Sequence, residues 1–268
     1  MLRLLRSEIF RLRKRPQSWV LGIIMLGGVA TVYVGLTIAA LIMSDPSEPK
    51  ETIMLSSIFE SGMQLVSGLG YLLIAIVAAS LIGNEYSWGT IRPLVARSCS
   101  RNALLSAKLI TLALYAVALL LAGLVASIAC STVASFIVGN LQGIGSGLAG
   151  DWAVSFLRLL VAQLPYATLV FFVTLLSRST AVGIGVGIGI GLLEPALWAL
   201  AGLMTDAFES VRKFGLDYPS SLLYNMNAGL DNVTGGEASR AVVILVAWST
   251  IFVAFSYVVF NRRDVTPG

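Results

Sequence analysis

Histidine is absent from this 268-residue sequence, and only two cysteines occur, Cys99 and Cys130. Because histidine is the commonest general base near neutral pH and the commonest metal ligand, its absence argues against metal-dependent catalysis and against most membrane-embedded metalloproteases. Cys99 belongs to a basic segment, whereas Cys130 lies deep within an apolar run, so we expect neither a disulfide nor a metal cluster. The chain is therefore expected to carry no metal and no catalytic residue.

Nucleotide-binding motifs are missing as well. No stretch matches the phosphate loop G-x-x-x-x-G-K-[ST], in which backbone amides and a lysine bind nucleotide phosphates. Residues 145–150, GSGLAG, match the dinucleotide-binding spacing G-x-G-x-x-G, but no predicted strand precedes them, so we interpret the match as chance. We expect this chain to bind no cofactor itself.

Charged side chains are also scarce. They make up 12% of the residues, while 57% of the residues are hydrophobic and the mean hydropathy is +0.86. A typical soluble domain has about 25% charged residues. Apolar runs of about 18 residues or more with almost no charge are typical of membrane-spanning helices. The composition therefore predicts a polytopic membrane protein of the all-α class.

Six such runs divide the chain, and we treat residues 1–268 as a single transmembrane domain. The third run is longer than a bilayer core of about 30 Å requires, so it must tilt or project beyond the membrane. Only SRST, residues 177–180, separates the fourth run from the fifth, and Arg178 favours a tight turn at a membrane face. The predicted spans are residues 17–43, 61–83, 108–138, 152–177, 181–204 and 239–260.

Basic residues mark one side of the predicted bundle. Lys and Arg concentrate in the first 15 residues, in residues 83–108, at Arg178 and in the tail, whereas most acids lie in the opposite loops. Since cytoplasmic loops carry the excess of Lys and Arg, we expect both termini and residues 83–108 to be cytoplasmic. The net charge of +4 then reflects contact with anionic lipid headgroups rather than with nucleic acid.

The N-terminal segment RLLRSEIFRLRKR predicts an amphipathic helix. Leu2, Leu5, Ile9 and Leu12 recur at helical spacing among the arginines, a pattern typical of a helix that lies in the membrane interface. The apolar run that follows is about twice as long as the core of a signal peptide and lacks a clear cleavage site, so we do not expect removal. An unstructured basic flank is the alternative.

The fifth predicted span is rich in glycine. In AVGIGVGIGIGLLEPALW, Gly183, Gly187 and Gly191 form one helical stripe, and Gly185 and Gly189 form another. Small residues at every fourth position let helix backbones approach closely in lipid. The stripe therefore predicts close helix packing or, alternatively, a moving or conduit-lining surface.

Two charged residues lie in the interior of predicted spans, Arg158 in the fourth and Glu194 in the fifth. A charge at the bilayer centre costs about 2.5–3.5 kcal/mol on insertion scales. At about 1.5 Å per residue, the two lie at depths that a long arginine side chain can bridge, which predicts an intramembrane charge pair. In the alternative, Arg158 reaches the headgroups, while Glu194 stays protonated or bonds to backbone freed by Pro195.

Residues 83–108, GNEYSWGTIRPLVARSCSRNALLSAK, form a basic island between the second and third spans. Thr90 is positioned to cap a short helix that begins at Ile91, and Ser100 to cap the start of the third span. A short helix with an apolar patch and flanking cations suits docking into a groove on another protein. The patch and its cations are Leu94, Val95, Arg92 and Arg97.

This island and the C-terminal tail together carry a family resemblance. The relevant residues of the island are Glu85, Gly89, Thr90, Leu94, Val95, Ser100, Arg101, Leu104, Leu105 and Lys108. The tail reads SYVVFNRRDV. Both stretches resemble those of ABC-2 type transporter permeases, the six-span membrane subunits of ATP-binding cassette exporters.

The resemblance implies that residues 84–107 hold a cytoplasmic coupling helix seated on a separate ATPase, which binds ATP and Mg²⁺. It also implies two such ATPase subunits, a second permease that is identical or related, and a path lined by the second and fifth spans. The chain is then expected to lie in the cell membrane of a prokaryote. The residues assigned to ATPase coupling are Glu85, Gly89, Thr90, Arg92, Leu94, Val95, Arg97 and Arg101.

The outer loop, residues 205–238, contains YPSSLLYNMNAGL, in which Pro219 and Ser220 are expected to start an amphipathic helix. Such short outer helices before the last span would either cover the exit of a conduit or pack over the bundle. The apolar face consists of Leu222, Leu223, Met226 and Leu230.

Two other functions stay open on the sequence. A non-transport membrane scaffold would share the topology and the basic face, but it would not need a capped island. An intramembrane enzyme would need paired catalytic groups at matching depth. Arg158 and Glu194 do not form such a pair, because neither a histidine nor a second carboxylate accompanies them.

Overall fold

The computed structural model describes residues 2–42, 62–91, 100–138, 148–202, 211–227 and 235–262. Eight α-helices and no strand occur within these ranges, which confirms the all-α class, and six of the helices are long and apolar enough to cross a membrane. The helices are α1 (Leu2–Lys14), α2 (Pro16–Ile42), α3 (Met63–Ser87), α4 (Arg101–Val138), α5 (Leu148–Ser177), α6 (Thr180–Gly202), α7 (Asp217–Asn227) and α8 (Gly235–Arg262).

The six apolar helices correspond to the six predicted spans, with differences at their ends. Helix α3 continues to Ser87 rather than ending at residue 83, and α4 begins at Arg101 rather than at residue 108. Hydropathy places these ends too far inside the membrane because polar residues can continue a helix beyond the apolar core. Helix α4 has 38 residues and is about 57 Å long, longer than a bilayer core of about 30 Å, so it must tilt or project beyond the membrane.

Helix α3 forms the centre of the bundle. It contacts α2 and α4, which pack on each other, and also α5 and α6, which likewise pack on each other. Glycines permit this burial. A Cβ added at Gly70 would lie 2.6 Å from Leu120 of α4, and one at Gly83 would lie 2.9 Å from the Thr180 backbone of α6. The neighbouring helices therefore approach α3 more closely than a side chain would allow.

Helix α8 packs along α5 and also touches α4. The ring of Phe172 on α5 lies 6.4 Å from that of Phe252 and 6.0 Å from that of Phe255, both on α8, measured between centroids. Helices α6 and α8 are the least buried of the six apolar helices. Each therefore presents a large apolar face to the surroundings of this chain.

The fourth and fifth predicted spans are separate helices. Helix α5 ends at Ser177, and α6 begins at Thr180, while the amide of Arg178 still donates to the carbonyl of Thr174 at 2.8 Å. Arg178 has a φ of 55°, in the left-handed region that side chains rarely adopt and that reverses the chain after a helix. The predicted tight turn at Arg178 is confirmed.

The glycine stripe of α6 lies in its contact with α3 and α5. A Cβ at Gly183 would overlap the hydroxyl of Thr174, and one at Gly187 would lie 2.6 Å from Val170, both on α5. A Cβ at Gly187 would also lie 3.3 Å from Ala75 of α3. These two glycines are therefore positions where the helices touch through backbone.

Gly191 continues the same contact one turn further along α6. A Cβ at this position would overlap the ring of Tyr71 on α3, whose hydroxyl donates a hydrogen bond to the carbonyl of Gly187. The second stripe differs, since a Cβ at Gly185 or Gly189 would meet nothing within 4 Å. Among the described residues, only one of the two glycine stripes is thus in close contact with other helices.

The N-terminal segment is helical rather than unstructured. Helix α1 packs on the first turns of α4, and only Arg15 separates it from α2. Trp19 of α2 donates from Nε1 to the carbonyl of Arg13 at 2.8 Å, which closes the junction between the two helices. Because α2 is an apolar helix of membrane-spanning length, the prediction that α1 lies at the membrane–water boundary is compatible with this arrangement.

Helix α7 packs on the bundle at the end opposite α1, against α5 and α8. It begins at Asp217, so the start expected at Pro219 and Ser220 is corrected by two residues. Asn227 donates from Nδ2 to the carbonyl of Ser155 at 2.9 Å, which fixes its far end to α5. Leu230 lies outside the described residues. The buried contacts between α7 and the bundle involve Leu222, Leu223, Ala162, Ala241 and Leu245.

We predict that replacing Gly187 by valine destabilises the protein by about 1–3 kcal/mol, because the added side chain must displace Val170 in a close-packed contact. The matched control is Gly185→Val, which makes the same change of helix propensity on the open stripe. Unfolding of the two purified variants in a detergent titration measures the difference. Equal stability of the two variants would contradict the packing role of the stripe.

Candidate functional site

The end of the bundle where α1 lies is here called the basic end. Three contacts join the termini of other helices there. Arg178 places its guanidinium 5.8 Å from the ring centroid of Tyr86, near the end of α3. Arg101, the first residue of α4, donates from Nη1 to the carbonyl of Asn261 at the end of α8, at 3.4 Å. Asn261 also donates from Nδ2 to Asn102 Oδ1 at 2.7 Å. Basic residues that are distant in the sequence therefore share one end of the fold.

Helix α3 ends in a stop that requires glycine. Trp88 is the C-cap residue, and Gly89 follows with a φ of 66°. The amide of Gly89 donates to the carbonyl of Tyr86 at 3.1 Å, and the amide of Thr90 donates to that of Glu85 at 3.0 Å. This pair of bonds defines a Schellman motif, and glycine alone adopts its left-handed conformation without a penalty from Cβ.

Helix α4 begins with a side-chain cap. Ser100 Oγ accepts a hydrogen bond from the amide of Ala103 at 3.1 Å, so the cap predicted at Ser100 is confirmed. Residues 88–100 therefore connect two helices whose ends are both fixed by local hydrogen bonds. Within this connection Ile91 is buried, and residues 92–99 lie outside the described part of the chain.

A buried lysine joins the helices that meet at this connection. Lys108 Nζ on α4 donates to Glu85 Oε1 on α3 at 2.6 Å, to Glu8 Oε2 on α1 at 3.2 Å, and to the carbonyl of Leu81 at 3.2 Å. The three charged side chains are each at most 3% exposed. An ammonium group has three donors, and each has an acceptor here. We call Glu8, Glu85 and Lys108 the buried charge cluster.

Two arginines surround the buried charge cluster. Arg11 Nη1 lies 3.3 Å from Glu8 Oε1 and 3.8 Å from Glu85 Oε1, and Arg15 Nη2 lies 3.9 Å from Glu85 Oε1. The side chain of Arg11 is 40% exposed, and that of Arg15 is 19% exposed. With Lys108, the two arginines supply three cations against two carboxylates. When all five groups are ionised, one positive charge is left over, on the outer side of the site.

The buried charge cluster restricts how α1, α3 and α4 can be arranged. Moving a charge out of water costs several kcal/mol, and only close, hydrogen-bonded partners offset that cost. Any arrangement that separates Lys108 from Glu8 or Glu85 leaves a charge buried without its partner. Glu85 Oε2 is itself buried without a hydrogen-bond partner among the described residues, which adds to the cost of this site.

The residues predicted for ATPase coupling lie in different surroundings. Glu85 is 1% exposed and its carboxylate faces Lys108 within the buried charge cluster, so its predicted part in ATPase coupling would be through the position of α3. Gly89 and Thr90 form the exposed helix stop of α3, and Arg101 contacts the end of α8. Four of the predicted residues lie outside the described ranges, namely Arg92, Leu94, Val95 and Arg97.

The sequence alone assigned no role in the site to Glu8 or to Lys108, although Lys108 is among the residues that carry the family resemblance. Glu8 is the only acid among the first 15 residues, and Glu85 is the only acid of residues 83–108. A single acid in each of two basic segments is a signal that could have linked them. Sequence separation gives no distance between residues 8, 85 and 108, so the packing of α1 on α4 is needed to reveal the cluster.

At the opposite end, the predicted pair of Arg158 and Glu194 does not form, since no ion pair among the described residues joins them. Glu194 Oε1 accepts instead from the amides of Leu216 and Asp217, at 2.9 and 3.0 Å, and lies 3.5 Å from Trp198 Nε1. These amides belong to the start of α7. The first N–H groups of a helix lack intrahelical partners and form the positive end of its dipole, so they attract a carboxylate.

Glu194 therefore ties α6 to α7. Helix α6 continues through Pro195, so the amides that Glu194 binds come from α7 and not from backbone that this proline frees. A Cβ at Gly215 would lie 3.1 Å from Glu194 Oε1, which explains a glycine at the approach to the carboxylate. Arg212 Nη2 donates to Asp217 Oδ2 at 2.9 Å and fixes the same turn.

Replacing Lys108 by methionine should destabilise the protein by about 3–5 kcal/mol, because Glu8 and Glu85 would stay buried without their cation. Thermal unfolding of the purified protein measures the loss. The triple variant E8Q/E85Q/K108M removes all three charges together and should recover most of it. A triple variant no more stable than Lys108→Met would contradict a charge cluster that acts as a unit.

Replacing Glu194 by alanine should free the start of α7 at a cost of about 1–2 kcal/mol, because two amides lose their acceptor. Hydrogen exchange of residues 216–227, followed by mass spectrometry, should become faster. Glu194→Gln keeps an acceptor oxygen at the same place and should accelerate exchange less. Unchanged exchange in the alanine variant would rule out the capping role.

Comparison with known proteins agrees with this architecture. A family model described as ABC-2 family transporter protein matches residues 4–194, from α1 to Glu194, and therefore includes the buried charge cluster. The uncharacterized protein YhcI of Bacillus subtilis (strain 168) is 25% identical in an alignment of 207 positions that covers 71% of this chain and 63% of that protein. The chain thus spans less than two thirds of the length of this curated relative. With six apolar helices and a family match over most of its length, this multi-pass membrane protein belongs to the ABC-2 family of transporter proteins.

Proposed function

We propose that this chain is the permease subunit of an ATP-driven exporter and that residues 84–107 couple it to a separate ATPase. The observation that carries the proposal is the connection between α3 and α4, which is capped at both ends and held to α1 by the buried charge cluster. A connection that receives force from another chain must be attached rigidly to the helices that it moves.

Force applied to this connection reaches the middle of the bundle directly. Helix α3 leaves the connection and contacts α2, α4, α5, α6 and α7, so a displacement of its end is passed to five helices. The buried charge cluster keeps α1 and the start of α4 moving with α3, because separation would expose an unpaired buried charge. ATP and Mg²⁺ would bind to the partner ATPase, and this chain would perform no bond chemistry.

A translocation path requires a second permease beside the exposed face of α6. This helix uses one glycine stripe for contact with α3 and α5, while Gly185 and Gly189 lie on open surface. Leu192, Leu193 and Leu197 are also more than half exposed on α6. We propose that α3 and α6 line the path between two permeases, identical or related, each resting on one ATPase.

The proposed orientation places the basic end in the cytoplasm of a prokaryotic cell, with the chain in its cell membrane. Arg101, Arg178 and the basic residues of α1 lie at this end. The positive-inside rule supports this orientation, and the ATPase of the proposed complex would require it.

Replacing Leu94 and Val95 together by aspartate should abolish co-purification of the chain with its ATPase from native membranes, because a docking patch would become charged. The matched control is Val211→Asp with Phe214→Asp, which adds two aspartates at exposed apolar positions of the opposite end. Both variants should still insert into the membrane.

Mass spectrometry of the purified complexes identifies the chains that are bound. An ATPase retained equally by both double variants would overturn the coupling role of the connection between α3 and α4. If wild-type protein recovers neither an ATPase nor a second permease, a non-transport scaffold would replace the proposal.

A further inference from the structure

A cavity of about 690 Å³ opens at the basic end, between α1, the start of α2, the end of α3 and the start of α4. Its lining combines two kinds of side chain. Leu4, Phe10, Trp88 and Leu104 supply apolar surface, whereas Arg11 and Lys14 supply cations. A surface of this composition fits an amphiphile better than it fits a wholly polar or a wholly apolar ligand.

The cavity has more cationic than anionic side chains at its lining. Glu8 and Glu85 also line it, but both are already bound to Lys108. Lys14 forms no ion pair among the described residues, and its ammonium lies 5.8 Å from the ring centroid of Phe10. Arg11, whose side chain is 40% exposed, shares Glu8 and Glu85 with Lys108 and Arg15. These three cations and Lys14 outnumber the two carboxylates, which leaves positive charge available to an anionic ligand.

The cavity lies at a membrane–water boundary whichever side of the membrane the basic end faces. Only Arg15 stands between α1 and the apolar helix α2, so the lining residues cannot lie far from the headgroups. Phe10, Trp19 and Trp88 are each more than 60% exposed at this level. Aromatic rings that are exposed next to a membrane span are typical of the headgroup region.

We propose that this cavity binds one anionic phospholipid, with its phosphate at Lys14 and Arg11 and the upper part of an acyl chain along Phe10 and Trp88. The charge excess selects a negative headgroup over a zwitterionic one. The apolar lining selects a lipid over free phosphate. The proposal does not depend on coupling to an ATPase, because every group that it uses belongs to this chain.

The bound lipid would connect α1 with the helix stop of α3. Trp88 is the C-cap residue of α3, and its ring lies 5.7 Å from the Arg15 guanidinium. A phospholipid between Lys14 and Trp88 would therefore add a second link between these helices, next to the buried charge cluster. The lipid composition of the membrane would in this way affect the stability of the basic end.

Native mass spectrometry of the full chain in neutral detergent, with added phosphatidylglycerol, tests the proposal. The double variant Arg11→Gln with Lys14→Gln should bind this lipid about tenfold more weakly or worse, because hydrogen bonds to charged groups contribute at that level. The matched control is Arg6→Gln with Arg13→Gln, which removes the same charge from exposed residues of α1 outside the cavity. The control should bind like wild type.

Two single variants distinguish binding of a phospholipid from binding of inorganic phosphate. Lys14→Gln alone disturbs no ion pair, so it should weaken binding even if the double variant folds poorly. Phe10→Ser should weaken binding of phosphatidylglycerol but leave any binding of inorganic phosphate unchanged.

The proposal fails if phosphatidylcholine binds as well as phosphatidylglycerol, or if both double variants lose affinity equally. It also fails if inorganic phosphate competes as strongly as the lipid. Protection of Lys14 from chemical acetylation by a co-purified ATPase, without protection by phosphatidylglycerol, would identify the cavity as a protein-docking site and overturn the proposal.

Discussion

The ammonium of Lys108 is buried, and hydrogen bonds to Glu85, Glu8 and the carbonyl of Leu81 replace those that it would make to water. The rest of the basic end depends on these hydrogen bonds, because their three acceptors come from two different helices, α1 and α3, and the lysine comes from a third. A buried ion pair is weak evidence for stability but strong evidence for a specific arrangement, since every alternative leaves an uncompensated charge. The helix stop at Gly89 and the cap at Ser100 then set where the connection between α3 and α4 leaves and re-enters this fixed frame.

Lipid supplies no hydrophobic force that would press apolar helices together, so the remainder of the bundle relies on close packing. Helix α3 can be central because Gly70 and Gly83 let α4 and α6 approach its backbone. Helix α6 follows the same rule with one of its two glycine stripes. The other stripe remains open, which is the reason for proposing that this face meets another chain rather than another part of this one.

The buried carboxylates at the two ends of the bundle have different kinds of partner. At the basic end, Glu85 is matched by a lysine and two arginines. At the opposite end, Glu194 is matched by backbone amides at the start of α7, so that a single carboxylate positions a helix that follows it by more than 20 residues. Opening of the bundle at that end would have to break these two hydrogen bonds or carry α7 along with α6.

The sequence by itself determined the membrane class, the six apolar helices, the turn at Arg178 and the cap at Ser100, because hydropathy, chain length and local capping act over a few neighbouring residues. It did not determine where the helices end, since polar residues can continue a helix out of the apolar core. Nor could it pair Glu8 with Lys108, or separate Arg158 from Glu194. A charge in a membrane protein takes the partner that is nearest in space, and that distance depends on how helices pack against each other. Only the tertiary structure decided that Glu194 meets the start of α7 and that Glu85 faces inward.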